Sequence, residues 1–455
     1  MRSSRAIFVS LLLIIALSLS AQNGKVPINH ATKTMLPHVS FDMRTAGYWI
    51  ARHPYPDSLI MNAQQIKDFS ASIVRKGSIS EMHKISGSIS GSHIKGGIND
   101  ALKLVSSMSL YDSLGQRVPS SYWNPIRQNC NLGAIRGSVR IRYGFPSSYA
   151  SQRLAPTSDN LNKIIFDTEF DEVQNSGYDI GTPHVFYHES ADGKWIYGAS
   201  AVTSGWYRMQ DVCFMTRELW LDYQLDKDFA VVTSARADIW LDEKKMQHGG
   251  YLRMGSKLPL EGEDGDYYIV LIPIREPGGE GRIAEARILK SDLHPGYLEY
   301  RPRNVLNLAF RLLDKPYGWA DAYGDTDCSS TMRAIFGCFG INLPRNSARQ
   351  EQAGKLVQKF TGNESSAVRE LAIIKKSIGG ITLLRRPGHI TLYLGSVNGR
   401  AYILQNTWAY RTLNDKKEDE VNVINSVVVS DMYLGYGSAR SSMIEEVSGI
   451  SILDN

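Results

Sequence analysis

Asp327-Cys328-Ser329-Ser330 stands at the head of a helical pattern, 329–339, that puts Met332, Ile335, Phe336 and Phe339 on one face. A cysteine there meets backbone N–H groups with no acceptor inside the helix and the positive end of the helix dipole. Both favour the thiolate, the nucleophilic form. The ten residues before it, Tyr317-Gly318-Trp319-Ala320-Asp321-Ala322-Tyr323-Gly324-Asp325-Thr326, have the glycines and aromatics of a pocket wall. Cys338, at the far end of the same pattern beside Phe339, reads as a buried apolar filler.

A thiolate nucleophile needs a base, and the base needs a group to orient it. Downstream, Pro387-Gly388-His389 opens an apolar strand pattern at 390–394, Asn398-Gly399 makes a turn, and the return strand 402–404 delivers Gln405. An antiparallel pair of this kind sets His389 and Gln405 side by side. The amide oxygen of Gln405 then accepts the Nδ1–H of His389 and leaves Nε2 facing the sulfur of Cys328.

Working outward, helical patterns at 304–313 and 329–339 precede strand patterns at 381–384, 390–394 and 401–404. Helices followed by antiparallel strands predict an α+β domain over 288–455. From 136 to 287 the texture is one of short alternating runs split by turn residues, such as Asp192-Gly193 between 185–188 and 194–197. That spacing predicts two small β-barrels, at 136–214 and 215–287. Residues 22–135 are polar and lean towards helix, with Asn62 as an N-cap before Ala63, Ile66 and Phe69, and with 87–97 as a flexible surface loop. Residues 1–21 begin with Arg2 and Arg5, run through an apolar stretch at 7–19 and end in small residues, the form of a cleaved secretory signal peptide. The apolar stretch is shorter than the roughly 20 residues that span a bilayer. The mature chain is therefore expected to be exported, to a periplasm or the medium, without a membrane span.

The whole chain has 455 residues, 43% hydrophobic and 21% charged, enough for about three domains and too apolar to be disordered throughout. Lys and Arg total 51 against 46 Asp and Glu, a net charge of +5 that falls to +3 once Arg2 and Arg5 are removed. So weak and scattered a charge argues against a nucleic-acid partner. Four cysteines are too few for a disulfide scaffold in an exported chain of this length. Whether Cys130 and Cys213 pair is left open. His184 and His188, four apart in a strand pattern, have Cα atoms roughly 13 Å apart and are expected as satisfied barrel residues, not shared zinc ligands. No metal or organic cofactor is expected. Residues 250–257 look like a phosphate loop, but Ser256 precedes Lys257, the reverse of the required order.

With these residues in hand, the chain resembles the NlpC family of bacterial cell-wall cysteine peptidases in its form with two bacterial SH3-like barrels. The matching runs are Tyr317-Gly318-Trp319, Asp327-Cys328-Ser329, Leu343-Pro344-Arg345-Asn346-Ser347 with Gln350, Gly388-His389-Ile390-Thr391-Leu392-Tyr393-Leu394-Gly395, and the strand ending at Gln405. Upstream, Tyr48-Trp49-Ile50-Ala51-Arg52 resembles a helical stabilising segment, expected over 22–135. Gly181-Thr182-Pro183 with Gly205-Trp206 resembles the first barrel, and Leu252-Arg253-Met254-Gly255 the second.

The resemblance implies a papain-like catalytic fold with Cys328 as nucleophile, His389 as general base and then acid, and Gln405 as third member. It implies hydrolysis of the γ-D-glutamyl bond to a diamino acid, diaminopimelate for instance, in peptidoglycan stem peptides with a free N-terminal L-alanine. The ammonium of that alanine would be held by Asp327 and Ser329, with Tyr317 lining the same pocket. A carboxylate at Asp327 has a plainer role as N-cap of the cysteine helix. Many relatives carry His in place of Gln405, and a neutral amide supports a histidine cation less. The chain is expected to act as a monomer. Two rival readings are a wall-binding protein whose triad does little or no chemistry, and a hydrolase or amidase of intact wall.

Overall fold

The computed structural model describes residues 28–29, 35–85, 87–165 and 167–454. The expected leader, 1–21, lies outside them. Among the described residues no helix is long and apolar enough to cross a membrane. The chain divides into two compact units, each discontinuous in sequence.

One unit takes Val74–Tyr297 together with Gly318–Gly324. It holds two seven-stranded sheets whose strand pairs are all antiparallel. The first begins at Arg142–Pro146 and contains the hairpin of His184–Glu189 with Trp195–Ala199, turned at Asp192-Gly193 as the sequence predicts. It buries Phe145 and Trp206 in one apolar cluster and Phe186 and Tyr207 in another. His184 lies wholly inside, Nε2 2.8 Å from the Tyr207 hydroxyl and Nδ1 2.8 Å from the Thr182 carbonyl. The second sheet wraps Ala237, Ile239, Leu252, Val270 and Ile288. Its last strand, Leu293–Pro295, falls beyond the expected edge at 287.

Residues 87–97 are a correction to the surface loop expected there. They form the strand Ser88–Ser90 and the first turns of a helix, Gly91–Ser106. Ile94, Ile98, Ala101, Leu102 and Val105 recur at helical spacing and are all buried, so tertiary burial outweighs the poor helix propensity of Gly and Ser. At Gly91 a β-carbon would stand 1.7 Å from the Arg136 carbonyl oxygen, so only glycine fits. Gly318–Gly324, read as a pocket wall, belongs to this unit by its contacts. Asp321 is 1% exposed and accepts from the Ser176 hydroxyl and the Gly177 N–H.

The second unit takes the described residues up to Ile73, Leu298–Tyr317, and the chain from Asp325 onward. The expected helical segment 22–135 is thus shared between the units. At its centre is a seven-stranded sheet in the order Ile28–Asn29, Asp419–Asp431, Arg400–Leu413, His389–Val397, Thr382–Arg386, Gly449–Ile452, Lys355–Lys359. The helices Pro302–Arg311 and Cys328–Gly337 sit close to their expected places, and the second packs on His389–Val397.

The N-terminal part of this unit is tied to the sheet through Trp49, on the helix Ala46–Arg52. Its indole covers Gly395, lies 5.5 Å from the Tyr402 ring and donates to the Met43 carbonyl at 2.8 Å. The helix Ala63–Arg75 starts at the cap predicted from sequence. Asn62 Oδ1 accepts from the Gln65 N–H and Gln65 Oε1 from the Asn62 N–H, both at 2.9 Å, a reciprocal cap that satisfies two end donors.

Candidate active site

Asp327 is the N-cap of the cysteine helix. Its Oδ1 accepts from the N–H groups of Ser329 at 3.0 Å and Ser330 at 2.8 Å, while Ser330 Oγ accepts from the Asp327 N–H at 2.8 Å. Orphan donors at the helix start, which would otherwise be available to a thiolate, are taken by this cap. Arg345 completes the carboxylate's shell: Nη2 donates to Oδ2 at 2.6 Å, and Nη1 to Oδ1 at 3.2 Å and to Ser329 Oγ at 2.7 Å. Both partners are buried, Arg345 at 2% exposure and Asp327 at 6%. Gln350 holds the assembly from behind, its Nε2 donating to the carbonyls of Ser329 and Pro344, both at 2.8 Å.

Cys328 opens the helix at 8% exposure. Its thiol meets the backbone N–H of Ile390, the residue after His389, and that of Ser329. Those contacts and Arg345 pull towards the thiolate, but burial and then the Asp327 carboxylate prevail and push the thiol up to about 12. The expectation of a resting thiolate is therefore corrected. The Ser329 and Ser330 donors are engaged by Asp327, and the charge acting most strongly on the sulfur is that carboxylate.

The sign is testable by alkylation. With the thiol raised, the thiolate fraction grows about tenfold per pH unit at all pH values below the thiol pKa. Iodoacetamide should modify Cys328 in the unliganded protein at a rate that climbs steadily from pH 6 to pH 9. A plateau already reached at acid pH would show a thiolate–imidazolium pair instead.

His389 follows a two-residue turn. Arg386 pairs with His389 across Pro387-Gly388, and Gly388 has φ +77°, a conformation glycine adopts without strain. The register Leu392↔Leu404, carried three residues further, sets His389 opposite Thr407, so Gln405 is its diagonal neighbour on the same face. The structure brings these two side chains together: His389 Nε2 lies 2.8 Å from Gln405 Oε1. Gln405 Nε2 donates to Ser430 Oγ at 2.7 Å, and that hydroxyl donates to the Asp431 carbonyl at 2.9 Å. The chain of donors fixes the amide with its oxygen towards the imidazole, so the proton is on Nε2 and the lone pair on Nδ1.

This reverses the nitrogens expected from sequence. The diagonal partner two residues along the next strand is met by Nε2, which leaves Nδ1 as the ring nitrogen able to accept a proton. Burial first, then the guanidinium of Arg386 and, more weakly, that of Arg440, hold the imidazole down to about 3, against a smaller upward pull from Gln405. The resting pair at neutral pH is a thiol and a neutral imidazole. Gln405→Ala leaves Nε2–H without its acceptor and both ring flips open. Peptide cleavage by this variant is expected to fall on the order of 10- to 100-fold in kcat with little change in KM. An unchanged kcat would remove Gln405 from the orienting role.

Tyr317 and Asp327 lie near the sulfur, and burial pushes the Tyr317 phenol well above its ordinary range, so its hydroxyl keeps its proton. Sequence reasoning passed over Asn406. This residue is wholly buried, and its Nδ2 donates to the Thr326 carbonyl at 2.6 Å and to Thr331 Oγ1 at 2.9 Å, clamping the segment before Cys328 to the sheet. Its signal was strand alternation: a polar residue next to Gln405 must face the other way. No disulfide joins any two of the four cysteines, and all four are buried. Beside His389 is a small pocket open to solvent, lined also by Gln405, Arg386, Arg411 and Arg440.

Residues 314–421 match the NlpC/P60 family, and residues 165–208 match an SH3 domain of the SH3b1 type. A γ-D-glutamyl-L-lysine dipeptidyl-peptidase of Bacillus cereus is 28% identical over 144 residues, which are 30% of this chain and 40% of that protein. The match thus spans less than half of that relative's length. An NlpC/P60 endopeptidase from Photobacterium damselae subsp. piscicida has a solved structure that is 19% identical, covering 93% of this chain and 99% of its own, with a TM-score of 0.73. That likeness establishes a shared fold over nearly the whole chain. An NlpC/P60 family protein from Bacillus cereus, 17% identical over 68% of this chain and 98% of its own, superposes with a TM-score of 0.49. This chain carries an SH3b domain and a papain-like NlpC/P60 domain, and Cys328, His389 and Gln405 fall within the second.

Proposed function

We propose that this protein is an exported cysteine endopeptidase that hydrolyses the γ-D-glutamyl bond to a diamino acid in peptidoglycan stem peptides. One observation carries the reading. His389 is locked with its proton on Nε2 by Gln405, and the Cys328 thiol rests against the N–H of the next residue, Ile390. A nucleophile, a base with a free lone pair and an orienting amide are what thiol acyl transfer requires.

In the reaction, Cys328 Sγ attacks the γ-carbonyl carbon as its proton passes to His389 Nδ1. The oxyanion is met by the Cys328 N–H, which as first residue of the helix has no acceptor within it, and by the protonated Tyr317 hydroxyl. Collapse breaks the C–N bond, and the proton on Nδ1 leaves with the amine. Water then gives a proton to Nδ1 and adds to the thioester, and the sulfur departs and regains that proton. Charge separation arises only during attack, as the raised thiol and lowered imidazole require.

Under this reading the peptide's free amino end points towards Tyr317, Asp327 and Ser329. Asp327 is already held by Arg345 at 2.6 Å, so a bound ammonium shares the carboxylate and does not own it. The burial that raises the Cys328 thiol and lowers the His389 imidazole favours the rival reading, a wall-binding protein with an idle triad. Mass spectrometry of L-Ala-γ-D-Glu-diaminopimelate and its N-acetylated copy, each incubated with the mature protein, tests the proposal, with insoluble sacculi in parallel. Release of diaminopimelate from the unblocked peptide is expected. An intact peptide that still binds would put the rival first, and cleavage confined to sacculi would make the protein a hydrolase of intact wall.

A further inference from the structure

The pocket beside His389 holds charge that the triad does not use. Three guanidinium groups face it, those of Arg386, Arg411 and Arg440. Arg386 pairs with Glu446 at 3.3 Å and Arg411 with Asp419 at 2.8 Å. A further carboxylate in the lining, Asp431, is engaged by Arg400 at 2.5 Å. The Arg440 side chain makes no hydrogen bond or ion pair among the described residues, and the groups that act on it are Arg386, the Tyr317 phenol, Arg411 and, last, Glu446. Burial and the two neighbouring guanidiniums pull it down to about 10. The Nε atoms of Arg386 and Arg411 are also buried without an acceptor.

These groups are built into the fold. Arg386 Nη1 donates to the carbonyls of Arg440 at 3.1 Å and Ser441 at 2.9 Å, so one arginine of the cluster fixes the segment that carries another. The pocket therefore carries one positive charge in excess, with unmet donors around it. Left bare, such a charge is costly, and a carboxylate with two acceptor oxygens is its natural complement.

Position says which part of a substrate would supply it. His389 and Gln405 line the pocket, while Cys328 does not. The acyl half of a substrate is bonded to sulfur, whereas the departing amine takes its proton from His389, so the residue bearing that amine lies on the pocket side. We infer that the pocket receives a carboxylate of the amine-side residue, with Arg440 as its counter-charge and the Nε donors of Arg386 and Arg411 as further partners. The inference rests on the peptidase reading and names the specificity of that same site. Two carboxylates qualify, the α-carboxylate of a peptide that ends at the diamino acid and the distal carboxylate of diaminopimelate.

The test compares wild type and Arg440→Gln on L-Ala-γ-D-Glu-Lys, its C-terminal amide, and the diaminopimelate peptide with its α-carboxylate amidated. The wild type is expected to prefer the free lysine peptide over its amide by on the order of 10- to 100-fold in kcat/KM, mostly through KM. Arg440→Gln should erase that preference, bringing the free lysine peptide and its amide to the same kcat/KM. If the α-amidated diaminopimelate peptide is also cleaved well, and this too needs Arg440, the distal carboxylate can occupy the pocket. Equal wild-type rates on all three peptides would overturn the inference and leave the peptidase standing. Should no peptide be cleaved, calorimetry of Cys328→Ala with Nα-acetyl-lysine and Nα-acetyl-lysine amide decides the matter separately. Carboxylate-selective binding that disappears in the Cys328→Ala/Arg440→Gln double variant would uphold the pocket while the peptidase reading falls, and equal or absent binding would overturn the pocket as well.

Discussion

Cys328→Ala is expected to lower cleavage of L-Ala-γ-D-Glu-diaminopimelate by at least about 10⁴-fold in kcat, a rise in the barrier of about 5 kcal/mol. With the sulfur gone no acyl-enzyme forms, and what remains is binding plus the donors at the helix start, which act only on direct attack by water. Binding should persist, since the change removes one atom and leaves Asp327, Ser329 and Arg345 in place. Cys338→Ala is the matched control, because it removes a fully buried sulfur just past the other end of the same helix. That variant should lose some stability to the small cavity and keep kcat within about threefold. Retained turnover in Cys328→Ala would mean that the chemistry lies elsewhere, and loss of turnover in both would point to folding rather than nucleophilicity.

The second large effect concerns Arg345. Truncation to alanine leaves the Asp327 carboxylate buried without its guanidinium partner and opens a cavity beside the helix start. Removing one member of a buried pair typically costs about 3–5 kcal/mol. Arg345→Ala should accordingly lower the denaturant midpoint of the unit containing the cysteine helix, read by hydrogen exchange in 328–337 so that the other unit does not mask it. The double variant Asp327→Asn/Arg345→Met removes both charges and should recover more than half of the loss. A single variant within about 1 kcal/mol of wild type would show that the pair is solvated, contrary to exposures of 2% and 6%.

The parts of the site readable in the sequence are those whose signals are local. A cysteine at the start of an apolar helical stripe, a Pro-Gly turn before His389 and an Asn-Gly turn before the strand of Gln405 each state their geometry within a few residues. The hairpin at Asp192-Gly193 and the cap at Asn62 are of the same kind. Features set by long-range pairing did not show. Which imidazole nitrogen meets Gln405 depends on strand register, and register depends on the whole sheet. Asp327 and Arg345 are 18 residues apart, and nothing at either position announces the other. The 87–97 stretch read as a loop because Gly and Ser are poor helix formers, and only the core beneath Ile94 and Ile98 makes it a helix. Arg440 sits in a turn-rich segment with no periodicity, so its place beside His389 could not be read from spacing.

The split of the second unit across the sequence has a consequence for how the chain is made. Trp49 and Met61 are buried against Gly395, Tyr402 and Tyr300, so they cannot be sheltered until those partners exist. The first piece ends at Ile73 and the sheet's strand Gly449–Ile452 comes almost last. At roughly 5–20 residues per second, something like 20–75 s of synthesis separates them. Throughout that interval these apolar side chains wait in solvent while the intervening 74–297 can already fold. The papain-like unit is therefore the last to close, and its cleft does not exist on a chain still emerging from the ribosome.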